Sequence, residues 1–575
     1  MRQGRRKERG SILAVTMIVL LIAAVVATGL ASHAVFQFRN AARYEVYKNE
    51  FEVAEAVFAK AFAEIGFLVQ YAGPNLQTEI ANIQPPTFDS YTVKNFSITL
   101  PPQHPDGSAN PGNQTVSEGP WTGLTLYTMR YRVTARVHQN SNTSQRFKHP
   151  GVELSQDLEL RYIPLYLFAI FYDGDLEIHP GPAMTVNGRV HSNASLWVGA
   201  NASLAFEDHV TAVGQILHGR HPDSGEPVGN GDVTFFNDTS SVSMQPGEGG
   251  WLDHLDSNWA TESQARWNGY VNDESHNVSE LPLPIPERED PHAIIERADP
   301  DNDPPSLQQE KFENKAGLKI LRDPATGEVH GFDGDDNPVE LTYTDPGDPS
   351  ATKSLYSEGS FYDAREGKWV STIDVNIANM IESGTAPENG ILYVSNEGVN
   401  GAVRVTSAQE LPDNAQNGFS IATDDAIYFK GDFNTVNKKY ALVAGDAIMV
   451  QSNDWDDTRS NEHVNNRQAT PTTMNGVFFQ GIVPSQSSAY SGGVENSFRF
   501  MERWSGVPFY FNGSLVCMWK SQKWTGPWVY GNPVYEAPQR PWSWDTIYAG
   551  LNGPPGTPRV YEVLRRHWNI RGLGG

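Results

Sequence analysis

The residues best placed to do chemistry in this chain are its spaced carboxylates. Asp299, Asp301 and Asp303 stand at alternate positions, and the twelfth position of that frame is Glu310. Alternating oxygen ligands closed by a carboxylate form the pattern of a calcium loop. A second frame, Asp333, Asp335 and Asn337, reaches Thr344 at its twelfth position and is the poorer ligand set. Both frames carry proline, Pro304 and Pro338, where the loop's sharp turn wants glycine. The competing reading is a pair of solvated acidic turns. Calcium is the one cofactor to consider.

Catalytic constellations are not evident. There is no Gly-x-Ser-x-Gly elbow, no His-Glu-x-x-His, no Walker loop and no Gly-x-Gly-x-x-Gly between a strand and a helix. His218 and His221 lie close together without a plausible third ligand nearby. Cys517 is the single cysteine, so the chain has neither an internal disulfide nor a multi-cysteine zinc site. The expectation is a protein that is not an enzyme. Binding chemistry is better represented, because the last 75 residues hold seven of the 14 tryptophans. Trp524, Trp528, Trp542 and Trp544 either form a surface for sugars or partner proteins or cap the end of a core.

The elements that must position these groups begin with a helix. Ser11 to Phe38 contains no Asp, Glu, Lys or Arg, and the ten residues before it hold five Lys or Arg and one Glu. A run of this length crosses the ~30 Å hydrocarbon core as a helix. Cationic flanks stay cytoplasmic, so the body lies outside. Beyond the run, Tyr44, Tyr47, Phe51, Ala54, Phe58, Phe62 and Ile65 follow each other at steps of three and four. That spacing continues the helix with one apolar stripe as far as the stop at Gly73-Pro74. The body carries a net charge of −29 within an overall −25. Such acidity argues against electrostatic nucleic-acid binding, which needs clustered cations.

The basic leader ending in Arg9-Gly10, the apolar run from Ser11 and the element Ala54-Glu55-Ala56 resemble the N-terminal region of type IV pilin-like proteins, specifically PilX-type minor pilins. The resemblance covers about the first 65 residues. It implies cleavage by a prepilin peptidase between Gly10 and Ser11, leaving Ser11 as the mature end. Major pilins usually carry glutamate at mature position five, where this chain has Val15. An apolar residue there implies a minor, initiating or tip-associated subunit, or a leader that stays uncut. The implied partners are other pilin-like subunits and the pilus or secretion assembly machinery, besides the lipid bilayer of the inner membrane.

The expected fold is α+β, then mainly β. A basic leader (1–10) and a transmembrane and amphipathic helix (11–72) precede a small antiparallel head (85–164), whose strands alternate at period two. The resemblance implies that helix and head pack together. Short apolar pieces between Gly and Asn corners over 165–217 and 388–530 suit a split β-solenoid, with a β-sandwich as the alternative. Residues 218–387 read as a polar insertion and 531–575 as a Pro/Trp-rich cap. The function expected is a non-enzymatic pilin-like subunit. A membrane-anchored surface adhesin or carbohydrate-binding protein is the alternative, and a tethered polysaccharide enzyme the third reading.

Overall fold

The computed structural model describes residues 8–140, 151–245, 247, 250–487 and 489–571. A single helix, α1 (Glu8–Tyr71), opens it and spans 64 residues, roughly 96 Å at 1.5 Å per residue. Its inner half is apolar on every side and fully exposed. Two of its hydroxyls are satisfied locally. Thr16 Oγ1 donates to Ile12 O (2.8 Å) and Thr28 Oγ1 to Ala24 O (2.7 Å), as a helix in hydrocarbon requires.

The outer half of α1 lies on an antiparallel sheet. β1 (Tyr91–Thr99), β2 (Gly112–Thr115), β3 (Thr125–Gln139) and β4 (Val152–Pro164) alternate in burial because one face meets the helix. The order is β1-β3-β4, with β2 also paired to β3, and the far edge is the C-terminal strand Arg559–Arg571. That strand runs antiparallel to β4, with Val560 opposite Ile163 and Ile570 opposite Leu154. Part of the segment expected to cap the body thus lies elsewhere: 559–571 complete the head sheet. Period two marks a strand but says nothing of its partner, and this partner lies about 400 residues away.

The body is a large, mostly β domain of several sheets. Its longest ladder carries one continuous apolar row: Leu318, Leu392, Ile421, Val443, Phe478, Leu515, Ile170, Val190, Val210 and Val271. Every step in that row is parallel and every member is buried. A second parallel ladder stacks Val375, Val405, Phe429, Val450 and Phe500. Chain order is broken within the first ladder, where Leu515 pairs with Ile170, so the early strands extend the stack begun by the late ones.

Corners between the strands need backbone with positive φ, and asparagine supplies several. Asn400, Asn417 and Asn434 have φ of 52°, 51° and 55°. Asn434 and Asn475 also exchange side-chain-to-backbone bonds: Asn434 Nδ2 to Asn475 O (3.1 Å) and Asn475 Nδ2 to Asn434 O (3.0 Å). These bonds satisfy buried amides that strand pairing leaves over.

Residues 218–387 are polar in composition yet contribute to the core. Trp259 and Trp267 are buried, and Leu281, Leu283 and Ile285 are buried with them. Alternation in Leu281-Pro-Leu-Pro-Ile-Pro places three apolar side chains against the body. The end of the segment 218–387 forms a strand, Lys368–Asn376, followed by a short helix, Ile377–Ser383. The β-branched residues Val370, Thr372, Ile373 and Val375 of that strand favour the pleated form.

Candidate functional site

α1 is the candidate assembly element. Phe58 and Ile65 of the expected stripe are buried, Tyr47, Phe51 and Phe62 are half-buried, and Tyr44 is 69% exposed. The buried line passes through Ala54, Val57, Phe58, Ala61, Ile65 and Val69, so sequence spacing located Ala54, Phe58 and Ile65 but missed Val57, Ala61 and Val69. Phe58 meets the ring of Trp568 at 5.6 Å, which ties the helix to the C-terminal strand. Glu50 Oε1 accepts from the Gln139 amide (2.9 Å). Lys60 Nζ caps Gln84 O (2.7 Å) and pairs with Glu64 (2.7 Å). Val15 is exposed on the apolar half, and α1 is helical from Glu8 through Gly10 and Ser11. The rest of the leader lies outside the described residues.

Where α1 ends, head and body meet. Gln70 Nε2 donates to Tyr561 Oη (3.0 Å), Ser306 Oγ donates to Gln70 O, and the Tyr561 amide donates to Pro282 O (3.0 Å). Beside this junction opens a cleft of about 1150 Å³. Its walls come from both parts: Tyr127 and Tyr162 from the head sheet, Tyr440, Gln309 and Asn417 from the body, and Arg559 at the start of the C-terminal strand. The loop Leu551–Thr557 lines one side and is anchored by Tyr166 Oη, which donates to Leu551 O (2.8 Å).

The tryptophans expected to form a surface are largely turned inward. Trp524 is buried, donates from Nε1 to Tyr428 Oη (2.8 Å), and has Lys368 Nζ 3.8 Å from its ring centroid. Trp528 is half-buried and bonded to Tyr535 Oη (2.9 Å). Trp542 packs edge-on against Phe498 and Phe511, while Trp544 Nε1 donates to Tyr166 O (3.1 Å). Their indole N–H groups find partners within the fold or their rings fill its core, which removes them as free platforms.

Neither acidic frame gathers its oxygens around a common point. Asp299 Oδ1 accepts from the Asp301 amide (3.2 Å), Asp303 Oδ2 pairs with Lys311 Nζ (2.9 Å), and Glu310 Oε2 with Lys315 Nζ (2.7 Å). Lysines thus occupy two of the intended ligands. In the second frame Asp333 Oδ1 accepts from the amides of Asp335 and Asn337 (both 2.9 Å), an acidic turn closed on itself. Among the described residues no group of three or more His, Cys, Asp or Glu side chains is arranged to hold a metal ion. His218 stacks on Trp251 at 3.6 Å rather than facing His221.

One constellation escaped the sequence reading. Ser263 Oγ lies 2.9 Å from His276 Nε2, and His276 Nδ1 lies 3.0 Å from Asp273 Oδ1, the connectivity of a hydrolytic triad. Asp273 also accepts from His254 Nδ1 (2.7 Å) and Trp259 Nε1 (2.7 Å). Burial alone would raise the Asp273 carboxyl, yet the bonds from His276 and His254 hold it below the usual carboxylate range. Ser263, however, is 0% exposed within the helix Trp259–Trp267, where its Oγ also reaches Ala260 O. A nucleophile must stand where a carbonyl and its oxyanion donors can meet it. Ser263 has no such space. The cluster is a sealed polar knot that fixes residues 254–276, and it suits stability rather than catalysis.

No protein-family model and no curated protein matches the chain. Among solved structures, the competence-associated pilin ComZ from Thermus thermophilus is similar at 10% identity over 92% of this chain and 97% of that one, with a TM-score of 0.29. A superposition that loose leaves the functional reading to the chain's own geometry.

Proposed function

We propose that this chain is a non-enzymatic pilin-like subunit, a minor or tip-associated component of a type IV pilus or secretion pseudopilus. The observation that carries the reading is α1. One unbroken helix has an exposed, charge-free stretch over residues 12–38 long enough to span a bilayer and an outer half buried on the head sheet. A signal anchor needs only the first half. Building both into one rod suits a subunit that leaves the bilayer and exchanges lipid for the helices of its neighbours.

On this reading the basic end stays cytoplasmic, the body lies outside the inner membrane, and a prepilin peptidase cuts between Gly10 and Ser11. Val15 at mature position five lacks the carboxylate that would pair with a neighbour's amine, and a large β body fits best where nothing has to stack above it. The two parallel ladders support reading that body as a solenoid whose coils are threaded out of sequence order. N-terminal sequencing of protein purified from membranes tests the proposal. An end at Ser11, together with recovery of the protein in a sheared pilus fraction, is expected. An intact Met1 in protein confined to the membrane rejects it.

A further inference from the structure

We propose that the cleft between head and body is a binding site for a carboxylate-bearing saccharide. This inference goes beyond the pilin reading and does not depend on it. A volume of about 1150 Å³ is above the range of ordinary small-molecule pockets, roughly 300–1,000 Å³, so the cleft suits a short oligomer better than a lone ion. It also lies where two packed parts meet, which is a common place for ligand sites.

The walls define the ligand's chemistry. Tyr127, Tyr162 and Tyr440 offer rings with polar tips, and Gln309 and Asn417 add amide donors and acceptors. Rings that cover a pyranose face and amides that answer its hydroxyls make a saccharide surface, whereas an apolar side chain would find few counterparts here.

Charge accounting then selects the kind of saccharide. Of the two cations lining the cleft, Lys315 is already taken by Glu310 (2.7 Å). Arg559 has no ion-pair partner among the described residues, in a chain of net charge −25. Arg559 lines the same cleft as Tyr162 and Tyr166. Arg559 is exposed at the cleft, where its guanidinium fork can receive a carboxylate through two parallel hydrogen bonds. One free cation with the Glu310 carboxylate nearby fits one negative charge at a time and disfavours a doubly charged phosphate.

The test is isothermal titration of the full chain in detergent micelles with a tetrasaccharide of three galactose residues and one galacturonic acid, which carries a single carboxylate. Carboxyl-reduced tetragalactose and trialanine serve as comparison ligands. The expected result is saturable binding of the acid, at least tenfold weaker binding of the neutral sugar, and none of the peptide. Arg559→Ala and Tyr440→Ala should each weaken binding of the acid at least tenfold with the melting midpoint unchanged. If either variant fails to fold, the acid-to-neutral preference of the unaltered chain decides. Absence of binding at millimolar acid, equal binding of the neutral sugar, undiminished binding by folded Arg559→Ala, or peptide binding as tight as the sugar's would each overturn the proposal.

Discussion

Replacing Phe58 by alanine should release the outer half of α1 from the head sheet. Phe58 is 1% exposed, lies on the buried line of the helix and touches Trp568 at 5.6 Å. Losing a buried phenylalanine side chain forfeits about 1.5–3 kcal/mol of transfer free energy. The aromatic contact adds roughly 0.5–1.5 kcal/mol. With the cavity left behind, the whole cost falls near 3–4 kcal/mol, within the range seen for such truncations. Tyr44, on the same helix but 69% exposed, supplies the control, and Tyr44→Ala should cost no more than about 0.5 kcal/mol. Amide hydrogen exchange followed by mass spectrometry, on the full chain in micelles, reads the difference in peptides covering residues 54–69. At about 1.4 kcal/mol per factor of ten, exchange there should accelerate roughly 100- to 700-fold in Phe58→Ala. Protection that changes less than about threefold, or an equal loss in Tyr44→Ala, would refute the claim that this buried face holds helix to sheet.

Three other outcomes are expected. His292 is buried, which alone would lower its pKa, but bonds to Asp446 (3.2 Å) and Glu296 (2.7 Å) raise it to about 9 from an ordinary 6.5. Its stabilisation is therefore complete below pH 6.5 and lost as pH rises through about 9, so the melting midpoint should fall across that window and the fall should flatten in His292→Asn. Asp273→Ala removes the shared acceptor of His254, Trp259 and His276 and should cost about 3–5 kcal/mol in urea unfolding, whereas a cost below about 1 kcal/mol would show that the knot is idle. Because Asp303 and Glu310 carry lysine partners, adding calcium or a chelator should leave the melting midpoint where it was. A calcium-dependent rise would mean that Lys311 and Lys315 give way to the ion.

How legible each part was depended on how local its signal is. Helix α1 declared itself through a charge-free run and then through steps of three and four, because the helix repeat is a property of neighbouring residues. Tyr44 nevertheless lies off the buried face, while Val57 and Ala61, outside the expected stripe, lie on it. At close approach to the sheet small residues pack as well as large ones, and a count of large hydrophobes misses them. The acidic frames show the opposite failure. Correct spacing suggested ligands, but Lys311 and Lys315 reached those carboxylates through space, and no one-dimensional pattern records that competition.

By itself the sequence determined the order of parts: a basic tip, a long apolar helix, alternating head strands, and a body of short strands with Gly and Asn corners. Tertiary structure alone decided which pieces touch. Arg559–Arg571 closes the head sheet against β4, and Leu515 continues through Ile170 in a stack that reverses chain order. It likewise brought Ser263, His276 and Asp273 into line and buried Ser263 and Asp273, turned Trp524 inward, and left Arg559 without an ion-pair partner among the described residues. The physical reason is common to all of these. Periodicity reports which face of an element seeks burial, but the identity of the surface that buries it is set by long-range packing, where any apolar row of matching register will serve.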